Sequence, residues 1–335
     1  MKLTTVLASL LLAATPIVLP TLAAAAPLTM VLSNDNNAKG LKGQTFDYFV
    51  ARAQEAMGDD LKAEMHHGGT LFDQDSQIVG TQLGEVQVIC PAIGIYSAQV
   101  PAVNMFELPF LLDSADKIRA AFEDESLRAL WVPQLQAKGI EPVAVWMNGP
   151  RILAHKGQKA VLQPGDAGGM KIRVQTAPIY VAPFEAIGSN PVGVSWSETP
   201  TALEQGVIDA VEPTPNALRG SGMWQMIDEI TLTDHIYTAW IVGVNKAWWD
   251  DMSDERRAKL QGALDQATDW NLAQAAEIND ADLAFFREQG KVVNALDDGQ
   301  RAAWESAMKP VWQEMGEKVV GAEAMARLEE IAAGH

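Results

Sequence analysis

The run Met170-Lys171-Ile172-Arg173-Val174 has the residue types and spacing of a carboxylate clamp. Strand side chains alternate between faces, so Ile172 and Val174 go to a core and Arg173 points off the other face. A guanidinium held on a strand matches a planar carboxylate through two parallel, charge-assisted hydrogen bonds. The alternative for a single arginine is a solvated surface charge. Gly188-Ser189-Asn190-Pro191 follows some fifteen residues on, close enough to share a site with it.

Other clusters point to less. In a strand the tandem pair His66-His67 would turn its rings to opposite faces, a poor geometry for one metal. Asp73 and Asp75, near Gly68-Gly69, lack the spacing of a calcium loop. The chain has no G-x-S-x-G nucleophile elbow and no phosphate-cradling glycine loop. Binding, rather than catalysis, is the expected chemistry, with no cofactor and no metal.

The elements that must position Arg173 follow a signal-like start. Lys2, the apolar run Val6 to Ala14 and the small residues Ala23 to Ala26 read as a secretory signal over residues 1–25. No later segment is apolar for long enough to span a bilayer, so an exported protein is expected, without membrane insertion. Cys90 is the single cysteine and ends a buried strand, where its thiol acts as a small hydrophobe. The net charge is −18, which disfavours nucleic acid and anionic membranes as partners. An anionic ligand then needs local arginines to outweigh a distant, screened acidic surface.

About 310 mature residues make two lobes likelier than one on length alone. Strand and helix signals alternate from Leu28 to Trp146: strands at Leu28–Leu32, Leu61–Met65, the run ending at Cys90 and Pro142–Trp146. Helices are expected at Tyr48–Met57, Asp73–Leu83, Ala115–Phe122 and Glu125–Ala137. This is an α/β lobe with a largely parallel sheet. A second α/β passage runs from Arg151 to about Thr233. It holds strand Met170–Val174, helices Pro178–Ala186 and Glu198–Gln205, and strand Val207–Val211. Pro200 falls in the first turn of its helix, where no donor is needed. A helix from Asp254 to about Gln289, capped by Ser253 and stopped by Gly290, would be roughly 50 Å long. Such a helix spans both lobes. Gly299–Met315 and Ala322–Ala332 read as amphipathic helices.

In its whole mature length the sequence resembles the solute-binding proteins of tripartite ATP-independent periplasmic (TRAP) transporters, the DctP-like family. The resemblance rests on LGEVQVI at 83–89, FELPFLL at 106–112, KIRV at 171–174, SNP at 189–191 and TALEQGVID at 201–209, in that order. Tyr237 followed by KAWWD at 246–250 continues it.

The resemblance implies an α/β, two-lobed periplasmic-binding-protein-like fold, with a ligand cleft between the lobes and the long helix across both. Lobe I would comprise 26–148 and 238–252, and lobe II 149–237 and about 287–335, with 253–289 as the bridge. It implies a periplasmic, monomeric receptor that captures a small organic anion and delivers it to a TRAP permease. The family's carboxylate-clamping arginine falls on Arg173, and its second arginine on Arg151. Two arginines would hold one carboxylate more tightly or read two acidic groups.

The ligand-facing asparagine falls on Asn190, which can equally cap the turn before Pro191. Trp196, and with it Trp146, would wall the ligand or simply fill the core. Glu212 can accept from a ligand hydroxyl or amine, hold a metal, or pair with a pocket arginine and orient it. Tyr237 can donate to a ligand oxygen or plug the hinge. The sequence departs from the family pattern at Pro150, Pro200 and Pro213. Two rival uses remain open: a sensory receptor that docks on a signalling protein once loaded, and an exported hydrolase or lyase with Glu212 as base.

Overall fold

A computed structural model describes residues 26–334; the expected signal segment, 1–25, lies outside them. The strands in chain order are β1 (Leu28–Ser33), β2 (Leu61–His66), β3 (Val88–Ile89), β4 (Ile140–Pro150), β5 (Leu153–His155) and β6 (Lys171–Val174). They continue with β7 (Asn190–Gly193), β8 (Ala210–Val211), β9 (Glu229–Leu232), β10 (Tyr237–Asn245) and β11 (Val292–Ala295). The first helices are α1 (Leu41–Met57), α2 (Gln77–Gln82), α3 (Ala115–Glu123), α4 (Glu125–Ala137) and α5 (Pro178–Ala186). Then come α6 (Thr199–Glu204), α7 (Pro215–Gly220), α8 (Lys246–Asp250), α9 (Asp254–Glu288) and α10 (Asp298–Met308).

Two sheets define two lobes. The first has the order β2-β1-β3-β10-β4, the second β11-β9-β5-β8-β6-β7. Neither is purely parallel. In the first, β1 runs parallel to β2 and β3, while β10 is antiparallel to β3 and β4. The largely parallel sheet expected from the alternating signals is therefore a mixed one. β10 is buried on both faces almost throughout, so its text (YTAWIVGVN) carries no two-residue alternation to betray a strand. Helix α1 also starts earlier than expected, at Leu41. Its first turn buries Lys42, Gly43 and Thr45, so polar residues occupy the inward face and mask the amphipathic pattern.

Four passes join the lobes: β4 into β5, β9 into β10, helix α9, and the chain just after α10. The first two lie side by side, with Tyr237 opposite Pro150 at the lobe boundary. Helix α9 starts at Ser253, whose hydroxyl accepts from the Arg256 amide at 3.3 Å, and its 35 residues span about 52 Å. It docks on the crossing strands through amides as well as hydrocarbon. Asn271 Nδ2 donates to Met147 O at 3.1 Å, and Asn279 Nδ2 to Asn148 O at 2.7 Å. Next in the strand is Gly149 with φ 129°, where a Cβ would strike the Asn279 amide. Only glycine meets both demands.

The C-terminal stretch departs from the expected lobe boundaries. β11 and α10 do belong to lobe II: β11 pairs with β9, and Trp304 Nε1 donates to Leu162 O at 3.0 Å. Residues beyond 310 instead return to lobe I. Trp312 Nε1 donates to Pro109 O at 2.8 Å, and Arg327 in the terminal helix Ala322–Ala332 pairs with Asp124 at 2.8 Å. Apolar surface on α3 and around Leu108 draws them there: Leu328 is fully buried, and Gly316 packs against Leu108 and Met325.

The lobes meet across the cleft. Thr176 Oγ1 of lobe II donates to Asp75 Oδ1 of lobe I at 2.6 Å, and Gly94 N of lobe I donates to Tyr180 Oη of lobe II at 3.2 Å. Gly94 lies so close to the Tyr180 ring that a side chain there would collide with it.

Candidate functional site

Between the lobes lies a narrow cavity of about 30 Å³. Lobe I supplies Asp35 and Asn36 from the turn after β1, Lys42 from α1, Gln74, Ala92, Asn148 from β4 and Trp240 from β10. Lobe II supplies Arg151, Arg173, Gln175, Trp196, Pro213, Thr214 and Ala217. Asp35, Arg173 and Gln175 sit at or just past strand ends, the usual place for ligand groups in open α/β sheets.

Arg173 is central on its sheet, paired with Val192 of β7 on one side and Val211 of β8 on the other. It is only 1% exposed. Nε donates to Val194 O at 2.9 Å, and the guanidinium lies over the Trp196 ring, 5.2 Å from its centroid. Nη2 is buried and has no hydrogen-bond partner among the described residues. No carboxylate of those residues forms an ion pair with it either. Burial pushes its pKa down to about 10, and Glu212 opposes that shift, so the group stays cationic at neutral pH. A buried, unpaired cation with an unused donor is costly unless an anion joins it.

Arg151 is a different case. It is buried at the lobe boundary, and its backbone N–H donates to Ile236 O at 2.9 Å. Glu212 grips the guanidinium from both sides of the fork: Nη2 donates to Oε1 at 2.6 Å and Nε to Oε2. The Tyr180 ring covers its face, 5.0 Å away. With its amide oxygen turned inward, Gln175 accepts from Nη1 at 3.0 Å. Burial opposes both charges, but each partner outweighs it: the Arg151 pKa is raised and that of Glu212 lowered. His235 Nε2 stands 3.8 Å from Glu212, and burial lowers its pKa, leaving the ring neutral at pH 7. Of the roles open to Glu212, the structure places it in the last, holding a pocket arginine.

Lobe I contributes a second internal pair. Lys42 Nζ donates to Asp35 Oδ1 at 2.6 Å, both side chains being buried, and the ammonium lies 5.0 Å from the Trp240 ring centroid. Asn148 Oδ1 accepts from Thr214 Oγ1 at 2.8 Å and from Asn216 Nδ2 at 2.9 Å, tying β4 to α7. Gln74 is buried, and its Nε2 has no partner among the described residues.

Of the seven residues singled out in the sequence, Arg173, Arg151 and Trp196 line this cavity, and Glu212 stands directly behind Arg151. The other three lie elsewhere. Asn190 is exposed on the edge strand β7, where its Nδ2 donates to Gly169 O at 2.8 Å and braces the turn before β6. Trp146 is fully buried in lobe I, edge-on to Phe46, with Nε1 donating to Thr268 Oγ1 at 3.1 Å. Tyr237 is half-buried at the lobe boundary, and burial raises its pKa to about 12. His66 and His67 make separate contacts, with Glu64 and Asp47. Asp35, Lys42, Gln74 and Trp240 escaped the sequence reading. The one available signal was Asp35-Asn36 just past a strand end.

A larger groove, about 250 Å³, lies between α3, α4, β4 and α9. It shares no lining residue with the Arg173 cavity, and among its described residues it holds no buried unpaired charge, so it does not compete with that cavity as the site.

Two α/β lobes, four crossings and a buried cation in the cleft are the build of the solute-receptor class. The model of bacterial extracellular solute-binding protein family 7, DctP, matches residues 32–319, and the chain belongs to that family. It is 29% identical to the C4-dicarboxylate-binding periplasmic protein DctP of Vibrio cholerae, over 88% of this chain and 86% of that one. Identity to the protein of the same name from Rhodobacter capsulatus is also 29%, over 85% of each. Among solved structures, a TRAP periplasmic solute-binding protein of Shewanella oneidensis with bound succinate superposes at a TM-score of 0.87. That match has 24% identity and covers 92% of this chain and all of the other. No helix among the described residues is long and apolar enough to cross a membrane.

Proposed function

We propose that this chain is a periplasmic receptor that captures a small organic acid by its carboxylate on Arg173 and delivers it to a TRAP permease. The observation that carries the reading is the buried Arg173 guanidinium, which lines the cleft cavity and whose Nη2 has no partner among the described residues. A ligand carboxylate would supply the missing acceptor and the missing charge together. Trp196 keeps the guanidinium plane in place, and Arg151 shapes the wall while its charge is held by Glu212. Binding without chemistry fits a site whose carboxylates nearest the clamp, Glu212 and Asp35, are each locked in an ion pair and are therefore poor bases. Family membership and relatives named for periplasmic dicarboxylate binding support both the ligand class and the compartment.

The test is calorimetric titration of refolded protein with a panel of organic acids, sugar acids and their neutral analogues. Acids are expected to bind and neutral analogues not. Arg173→Lys is expected to lose most of the affinity, since a point charge cannot reproduce the fork. Near-native affinity in that variant would sink the bidentate clamp.

A further inference from the structure

The charges around the cavity do not simply favour anions; they count them. Four ionisable side chains line it: Asp35, Lys42, Arg151 and Arg173. Lys42 is cancelled by Asp35 at 2.6 Å, and Arg151 by Glu212 immediately behind it. Further titratable groups face this cluster, and the Tyr180 phenol, Glu107 and His235 are all neutral at pH 7. Burial pushes the Glu107 carboxyl up to about 8, and burial holds His235 below its usual value. Asp75 stands exposed at the cleft rim, where solvent screens it. One positive charge remains, on Arg173.

We propose that the cavity selects a monocarboxylate whose body carries a hydroxyl group, and that it discriminates against dicarboxylates. This rests on the reading of the cleft as an organic-acid site. A monoanion on Arg173 brings the closed cavity to neutrality. A dianion would leave one charge buried among cations that are already paired, a strongly unfavourable state.

The wall opposite Arg173 tells the same story in hydrogen bonds. On lobe I, Gln74 Nε2 is a buried donor without a partner among the described residues, and Lys42 engages Oδ1 of Asp35, leaving Oδ2 outside that bond. A free amide donor and the Asp35 carboxylate in one cavity suit a hydroxyl, which both accepts and donates. A second carboxylate only accepts, and beside Asp35 it would set two anions against each other. The relatives named for C4-dicarboxylates share 29% identity with this chain, and the proposal separates it from them.

The test uses pairs of acids that differ by one carboxylate, titrated into the refolded full chain. These are 4-hydroxybutyrate with succinate, gluconate with glucarate, and the tightest acid of the wider panel with its twin bearing one carboxylate more or fewer. Within each pair that binds, the monoacid is expected to bind at least tenfold more tightly. Asp35→Asn frees the charge of Lys42, and Glu212→Gln frees that of Arg151, so whichever variant folds should reduce or reverse the preference. A native protein that takes the diacid equally well or better overturns the proposal, as does a preference unchanged in both folded variants. If no acid binds in an Arg173-dependent way, the organic-acid reading itself fails, and the charge count falls with it.

Discussion

Arg173 and Arg151 sit in neighbouring parts of one cavity, equally buried and of one chemical type, yet they do different work. Arg173, at the cleft end of β6, has a backbone carbonyl and an aromatic face for company, and no acid. Arg151, at the crossing of β4 into β5, has a bidentate carboxylate, an amide and a ring. The first keeps an uncancelled charge and a donor with no partner among the described residues. The second found its partner when the chain folded. An arginine in a pocket is thus a ligand clamp only if the fold leaves its charge uncancelled.

The sharpest way to break this comparison is to remove each side chain in turn. Arg151→Met strands Glu212 as a buried, unpaired carboxylate, and the stability to urea is expected to fall by about 3–5 kcal/mol. Arg173→Met should do the reverse: stability unchanged or higher without ligand, and binding lost by about 3–5 kcal/mol in titration. Equal destabilisation by the two changes would erase the distinction.

Glu107 sharpens it further, because this carboxyl faces the hinge arginine without owning its charge. Its hydrogen bond from Thr238 Oγ1, at 2.8 Å, does not offset burial, and the pKa rises to about 8. The folded state therefore holds a proton that the unfolded chain releases near its ordinary value of 4.5. Stability should decline as pH rises from about 4.5 to about 8, by a few kcal/mol, and level off above. Glu107→Gln is expected to flatten that slope in denaturation curves taken across the range. Glu212 has the opposite sign: its lowered pKa stabilises the fold above the ordinary carboxylate range, and acid removes that contribution.

The smallest expected effect tests the support under the clamp. Trp196→Leu removes the ring 5.2 Å from the Arg173 guanidinium and should weaken ligand binding by about 0.5–2 kcal/mol, with the fold intact by circular dichroism. A larger loss would mean that Trp196 contacts the ligand as well as the arginine.

Local pattern alone determined a good deal of this protein. The Ile172, Arg173, Val174 alternation placed the clamp on a strand. Ser253, Gly290 and the periodicity between them placed a helix long enough to join two lobes. Those signals are local: a pleat, a cap and a helical repeat need no distant partner. β10 and the start of α1 were hidden for the opposite reason. Burial on both faces erases alternation, and buried polar residues at a cleft mimic a surface.

The site divides the same way. That Arg173 and Arg151 are cations, and that Glu212 can pair with one of them, follows from residue types. Which arginine it takes, that Lys42 is matched by Asp35, and that Asn190 and Trp146 stay outside the cavity were decided by tertiary structure. Arg151 and Glu212 stand 61 residues apart in the chain, and only the close packing of β4, β5 and β8 brings them within hydrogen-bonding reach. Charge cancellation depends on such distances, and sequence separation does not encode them.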